Sequence, residues 1–364
     1  MTKLEQLIEE LCPNGVEYRK LSEVTTIERG RRVVKEQLSH DSGYPVFQNS
    51  LTPMGFHTDS NYPAETSYVI GAGAAGEIGY CKEDFWAADD CFPIVCGDSV
   101  INRYVYHFLL WQQPVLLSKV RKASIPRLSR SVIENLMIPV PPLPVQSEIV
   151  RILDNFTELT AELTAELTAR RKQYEYYRNK VLSLQSNGCK LLLKDIANTF
   201  RGEYITKSST KEGNIPVILG GQEPAYYIDK YNHEGEIVVV ARSGASAGFV
   251  SYWNERIFIT DGFGYEAKKS IVTQKYLYYI LKNIESKLNS MKRGAGVPHV
   301  SGEALNNLEF IIPTLKEQER IVAILDRFDT FCNDISAGLP AEIEARQKQY
   351  EYYRDKLLTF KVAE

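Results

Sequence analysis

The chain has 364 residues, enough for two or more domains with their own cores. Hydrophobic residues make up 44% and charged residues 24%, as in a globular protein, and no run of about 18 apolar residues exists to cross a bilayer. A net charge of −3 excludes a uniformly basic nucleic-acid binder, so any contact with an anionic polymer must come from local clusters.

The first ten residues are acidic and amphipathic and lack the pattern of a signal peptide, so a cytoplasmic protein with no membrane attachment is expected. The cysteines (Cys12, Cys81, Cys91, Cys96, Cys189, Cys332) form no C-x-x-C pair and have no His at zinc-ligand spacing. They read as thiols in a reducing compartment, and no metal site is expected.

Cations first gather in Glu28-Arg-Gly-Arg-Arg-Val-Val-Lys35, which supplies Arg29, Arg31, Arg32 and Lys35. The short apolar run Pro45-Val-Phe47 precedes Gln48 and Asn49, residue types that can read base edges. Ser67–Ile70 reads as a buried strand. After it, Gly71-Ala-Gly-Ala-Ala-Gly76 fits G-x-G-x-x-G, but the next residues read as strand, turn and strand. A dinucleotide site would need a helix there, so a tight turn is expected instead. Asn102–Trp111 carries apolar residues at helical spacing. Lys119 to Arg130 then holds five cations and no acid, including Lys119, Arg121, Lys122 and Arg127. A short basic run is by itself usually a solvated face.

Pro139, Pro141, Pro142 and Pro144 rule out helix before about residue 144. Beyond them Ile149, Ile152, Leu153, Phe156, Leu159, Leu163 and Leu167 form one stripe, and no Gly or Pro intervenes before Gly188. Inside this helix Thr-Ala-Glu-Leu repeats with a period of four. Such repeats can be plain helix filler. They can also act as a ruler, each unit adding about 6 Å and about 40° of turn. The helix ends in Lys172-Gln-Tyr-Glu-Tyr-Tyr-Arg178, where spacing puts Tyr174, Tyr177 and Val181 on one face.

The same order then recurs. Residues 348–354 repeat the heptapeptide, and the segment beginning at Leu143 aligns with that beginning at Leu315, a shift of 172. Arg29-Gly30 pairs with Arg201-Gly202, Gly76–Tyr80 with Gly248–Tyr252, and Ile125-Pro126 with Val297-Pro298. Glu236–Ala241 reads as a buried strand and Gln274–Leu288 as helix. The second copy holds its own candidates for nucleic-acid contact: Arg201, Gln222, Arg242, Lys292, Arg293 and His299. Its helix carries a matching stripe (Ile321, Ile324, Leu325, Phe328, Phe331, Ile335). At the heptapeptide the shift becomes 176, so copy two gained four residues in an interval containing Gly338-Leu-Pro340, where the helix should kink or break. The expected fold is α/β (α+β): two similar globular parts in a pseudo-two-fold arrangement, joined by two long antiparallel helices forming a coiled-coil-like spacer.

A duplicated globular part followed by a Pro-rich strand end, a Gln-x-x-Ile-x-x-Ile-Leu-Asp helix and a Lys-Gln-Tyr-x-Tyr-Tyr-Arg segment resembles the specificity subunit of type I restriction-modification systems. The Thr-Ala-Glu-Leu units are similar to those of the type IC subgroup. The resemblance implies target-recognition domains at 1–142 and 187–313, a central conserved helix at 143–186 and a C-terminal one at 314–364. It implies a bipartite, asymmetric site on double-stranded DNA, one domain per half-site, with longer central repeats going with longer spacers. It also implies two methyltransferase (modification) subunits and further restriction/translocase subunits as partners. S-adenosylmethionine, ATP and Mg would be bound by those partners and none by this chain. Identity of the heptapeptide in both copies suits a surface met by two equivalent partners, with Tyr174, Tyr177, Arg178, Tyr350, Tyr353 and Arg354 as docking candidates beside their role in helix packing.

No P-loop, H-E-x-x-H or G-x-S-x-G occurs, and the Pro141-Pro142 pair lacks the flanks of an amino-methyltransferase motif. A non-catalytic subunit with no catalytic residues is therefore expected. The alternative is a coiled-coil adaptor carrying two ligand-binding domains without DNA, which would bind no specific duplex and co-purify with no methyltransferase.

Overall fold

The computed structural model describes residues 2–40, 42–183, 188–206, 211–219, 223–294, 297–333 and 337–363. The chain forms two compact units: residues 1–164 together with 342–364, and residues 165–341. Each unit therefore combines one globular part with helical segments from both long helical regions.

In the first unit the sheet order is Thr25–Ile27, Cys91–Cys96, Thr66–Ile70, Ile78–Cys81, antiparallel throughout. A second sheet places Tyr44–Phe47 between Phe56–His57 and Trp86–Ala87, the latter pair parallel. Tyr18–Lys20 pairs with Met137–Pro139. The second unit repeats all three sheets. Its four strands run in the order Ala197–Arg201, Gly262–Ala267, Glu236–Ala241, Val250–Asn254. Ile215–Ile218 lies between Tyr227–Ile228 and Phe258–Ile259, and Cys189–Leu192 pairs with Glu309–Ile312.

Thr66–Ile70 and Glu236–Ala241 are the apolar runs that the sequence marks as buried strands. Alternate residues leave opposite faces of a strand. Accordingly Val69 enters the large core with helix Asn102–Ser118, while Tyr68 and Ile70 enter a smaller cluster with Phe85. In the second unit Val238 and Val240 face helix Gln274–Asn283, and Ile237 and Val239 face Ile257 and Ile259. The first helix outruns the expected Asn102–Trp111. The expected Gln274–Leu288 helix is instead two, Gln274–Asn283 and Glu285–Ser290.

The central helix is continuous over Leu143–Ser183, 41 residues. Among its repeats the Thr160 and Thr164 hydroxyls donate to the carbonyls of Phe156 and Thr160 at 2.8 Å, satisfying these polar side chains within the helix. The C-terminal region forms two helices, Leu315–Asn333 and Gly338–Leu357. Gly338 has φ 80°, and a Cβ there would stand 2.6 Å from the Phe331 carbonyl oxygen, so only glycine fits. Pro340 lies in the first turn of the second helix, where its missing N–H costs nothing. Of the expected stripe, Ile321 and Leu325 are fully buried, whereas Leu159 and Phe331 are exposed; Ile335 lies outside the described residues. No described helix is long and apolar enough to cross a membrane.

The repeat is visible in how each globular part grips its helix. Gln146 is fully buried: its amide accepts from Ile101 N–H (2.9 Å) and donates to the carbonyls of Ser99 (2.8 Å) and Pro141 (2.7 Å). Gln318 makes the same three bonds, to Thr273, Ile271 and Pro313, each at 2.9 Å. Asp154 meets Arg103 Nε at 2.9 Å and His107 Nε2 at 2.8 Å; its counterpart Asp326 meets Lys275 Nζ at 3.3 Å and accepts from the Tyr279 hydroxyl at 2.5 Å. Burial pushes the His107 pKa down despite the carboxylate. Phe156 stacks on Tyr353, and Phe328 on Tyr174 and Tyr177, so one contact is built twice from segments in opposite chain order.

Candidate nucleic-acid interface

The basic runs fold into the same device in both units. Arg121 and Arg127 exchange backbone hydrogen bonds (2.8 and 3.2 Å), closing a loop over residues 122–126. Arg293 and His299 do the same at 3.0 Å. Each loop is docked on the glycine-rich turn: Gly73 N–H donates to Pro126 O (3.1 Å) and Leu128 N–H to Gly71 O (2.8 Å). In the second unit Gly244 donates to Pro298 O (3.0 Å) and Val300 to Arg242 O (2.9 Å). Gly73 and Gly244 both have φ 82°, the left-handed region that glycine enters freely. Strand Ile78–Cys81 follows the first turn. The glycines thus serve to seat the basic loop, and a phosphate-binding helix N-terminus is missing from the turn.

Beside each loop lies a polar cleft. Arg29, Asp89, Asp90 and Arg127 line the first, of about 270 Å³. Arg201, Arg242, Asp261 and His299 line the second, of about 610 Å³. Arg29 Nε donates to the Asp89 carbonyl at 2.9 Å, and Gln48 Nε2 donates to the Asp89 carboxylate at 3.1 Å. Arg242 Nη1 stands 3.5 Å from Asp261 Oδ1, and the Ser243 hydroxyl donates to the other oxygen of that carboxylate.

The structure brings Arg29, Gln48 and Arg127 together around Asp89, and Arg201, Arg242 and His299 around Asp261. Lys119 caps the C-terminal end of helix Asn102–Ser118 just before the first loop, and Arg121 and Lys122 are exposed on that loop. Arg31, Arg32 and Lys35 are exposed along the segment leaving the first cleft, and Asn49 is exposed beside the glycine-rich turn, its carbonyl accepting from Ala74 N–H at 2.9 Å. Lys292 is partly tied down, donating to Ala245 O at 3.0 Å, while Arg293 is exposed. Gln222 lies outside the described residues. Asp89, Asp90 and Asp261 carry no signal in the sequence, because a carboxylate is not a residue type that attracts an anion. Ile125 (53% exposed) and Val297 (65% exposed) hold the same place on the two basic loops, and as apolar residues they too carry no such signal.

The docking candidates on the helices divide. Tyr174 and Tyr350 are buried in the cores of their own units, and burial pushes both hydroxyl pKa values up to about 12. They cannot meet a partner as expected, because helical spacing turns them inward. Tyr353 and Tyr177 lean on Phe156 and Phe328, and Arg178 donates to Asn283 at 3.3 Å. Arg354 spans the Tyr350 ring and reaches Asp355 at 2.9 Å. The most exposed aromatics of the repeated heptapeptide are Tyr176 and Tyr352, 60% and 62% exposed, and Tyr177 is 40% exposed. Among the described residues no group of three His, Cys, Asp or Glu side chains is placed to hold a metal.

Two copies of one family model, the type I restriction modification DNA specificity domain, match residues 13–170 and 190–345. The chain belongs to the type I restriction-modification specificity family. A putative type I restriction enzyme specificity subunit of Haemophilus influenzae is 34% identical, across 99% of this chain and 98% of that protein. The EcoR124I/EcoR124II specificity subunit of Escherichia coli is 30% identical, across 99% and 97%. In fold, the S subunit of a type I system from M. genitalium superposes with a TM-score of 0.70 at 19% identity, covering 94% of this chain and 96% of that one. A specificity subunit gives a multi-subunit restriction-modification system its DNA sequence preference and is itself non-catalytic. The basic loops and polar clefts are thus the candidate reading surfaces of a type I specificity subunit.

Proposed function

We propose that the two globular parts, residues 1–142 and 187–313, are target-recognition domains that read the two unlike halves of one bipartite, asymmetric site on double-stranded DNA. The observation that carries this reading is the recurrence of one scaffold, a basic loop seated on a glycine turn beside a polar cleft, with different side chains in its two copies. Equal scaffolds present DNA in the same way; unequal side chains prefer different bases. The helices Leu143–Ser183, Leu315–Asn333 and Gly338–Leu357 act as spacer and as docking surface for two methyltransferase subunits, with Tyr176 and Tyr352 offering the same exposed aromatic ring twice. Restriction/translocase subunits join that assembly in the cytoplasm, and S-adenosylmethionine, ATP and Mg bind to the partners.

Co-expression with the modification subunits, followed by selection from a pool of random duplexes, tests this. The expected result is a stable complex and a motif of two different half-sites with an unread gap. A single uninterrupted palindrome, or no motif, overturns it.

A further inference from the structure

We propose that Arg242 in the second unit and Gln48 in the first are base-reading side chains of different preference, each held by an aspartate of the same loop. This rests on the DNA-reading role proposed above and adds which base pairs are read.

The backbone hydrogen bonds set the two clefts in register. Leu128 donates to Gly71 O as Val300 donates to Arg242 O, and Gly71 N–H donates to Asp90 O (2.7 Å) as Arg242 N–H donates to Asp261 O (3.1 Å). Gly71 and Arg242 therefore occupy one position, and so do Asp90 and Asp261. Likewise Ala88 donates to Phe47 O (2.8 Å) as Thr260 donates to Ile218 O (3.0 Å), which makes the next residues, Gln48 and Leu219, equivalent. Between Ala88 and Asp90 the first unit has one extra residue, Asp89, and Asp89 is the residue that Gln48 grips.

The exchange is reciprocal. The first unit presents Gln48 and, opposite it, a glycine. The second presents Leu219, 45% exposed, and opposite it Arg242. A guanidinium matches the two acceptors on the major-groove edge of guanine, and a carboxamide matches the acceptor–donor pair of adenine. The carboxylates decide between base and phosphate. An arginine that only neutralises phosphate gains nothing from a carboxylate 3.5 Å away, and the negative charge repels the DNA backbone. Fixing the side chain in one orientation before binding is useful only when direction matters, as it does for a bidentate contact with a base. Asp261 and Asp89 are accordingly positioning residues.

The test uses the full chain co-expressed with its modification subunits and a duplex pool randomised over both half-sites. Arg242→Ala should relax a single G·C position in one half-site, with discrimination there falling on the order of 10- to 100-fold. The other half-site stays as in the wild type, which also shows that the variant is folded. Arg242→Lys keeps the charge and loses the fork, so it should relax the same position. Asp261→Asn should blur that position more mildly, and Asp261→Glu should restore it. Gln48→Ala should relax one A·T position in the opposite half-site. The proposal falls if Arg242→Ala weakens all sequences alike, if Arg242→Lys preserves the wild-type motif, or if no motif changes. Failure of the wild-type complex to select any motif would instead remove the DNA-reading role itself.

Discussion

Gln146 and Gln318 hold the two globular parts to their helices, and each spends its whole amide on backbone groups. Replacing Gln146 by Leu leaves an N–H and two carbonyls without partners, each worth about 1–3 kcal/mol when buried. With some relaxation the expected loss is about 3 kcal/mol in denaturant unfolding, and Gln318→Leu should match it. A loss below about 1 kcal/mol for either would mean that water takes over these bonds. Both glutamines stand in the repeated Gln-x-x-Ile-x-x-Ile-Leu-Asp pattern, so their recurrence was legible in the sequence. Their role was not, because their partners are backbone groups that no residue type advertises.

At the scale of elements the long helix divides its residues sharply. Ile149 and Leu153 are fully buried, while the threonine repeats bond back to their own helix. The repeats are therefore self-contained, and one can be removed without stranding a polar group. Deleting residues 164–167 removes about 6 Å of helix and should change the gap between half-sites while both half-site sequences stay the same. Methylome sequencing of cells carrying the variant system would read both quantities at once; an altered half-site sequence would sink the ruler. Period and Pro placement revealed the helices and their interruption before Pro340. Periodicity set Tyr174 and Tyr177 on one packing face, while identity of the heptapeptide in both copies made the same residues docking candidates. Tyr174 and Tyr350 are buried in their own cores, and the most exposed rings of the heptapeptide are Tyr176 and Tyr352.

For the whole molecule, a net charge of −3 coexists with a loop that places the exposed cations Arg121 and Lys122 side by side. Local clustering, not the sum, governs attraction to a polyanion. Replacing Arg121 and Lys122 together by Ala should weaken binding about equally for all duplex sequences. It should also lower the slope of log affinity against log salt by about one for each phosphate that is no longer neutralised, with the selected motif unchanged. A shifted motif would mean that these residues read bases, which would move the reading surface from the cleft to the loop.

The sequence by itself determined that the protein is one unit written twice, and where each copy turns from strands to helix. These properties are local or periodic, so residue order suffices to express them. Only the tertiary structure decided that Asp89 and Asp261 sit among the cations, that Gly71 and Arg242 share a position, and that each unit draws helix from both long helical regions. Those relations join residues far apart in sequence through backbone hydrogen bonds, which depend on register and not on side-chain identity.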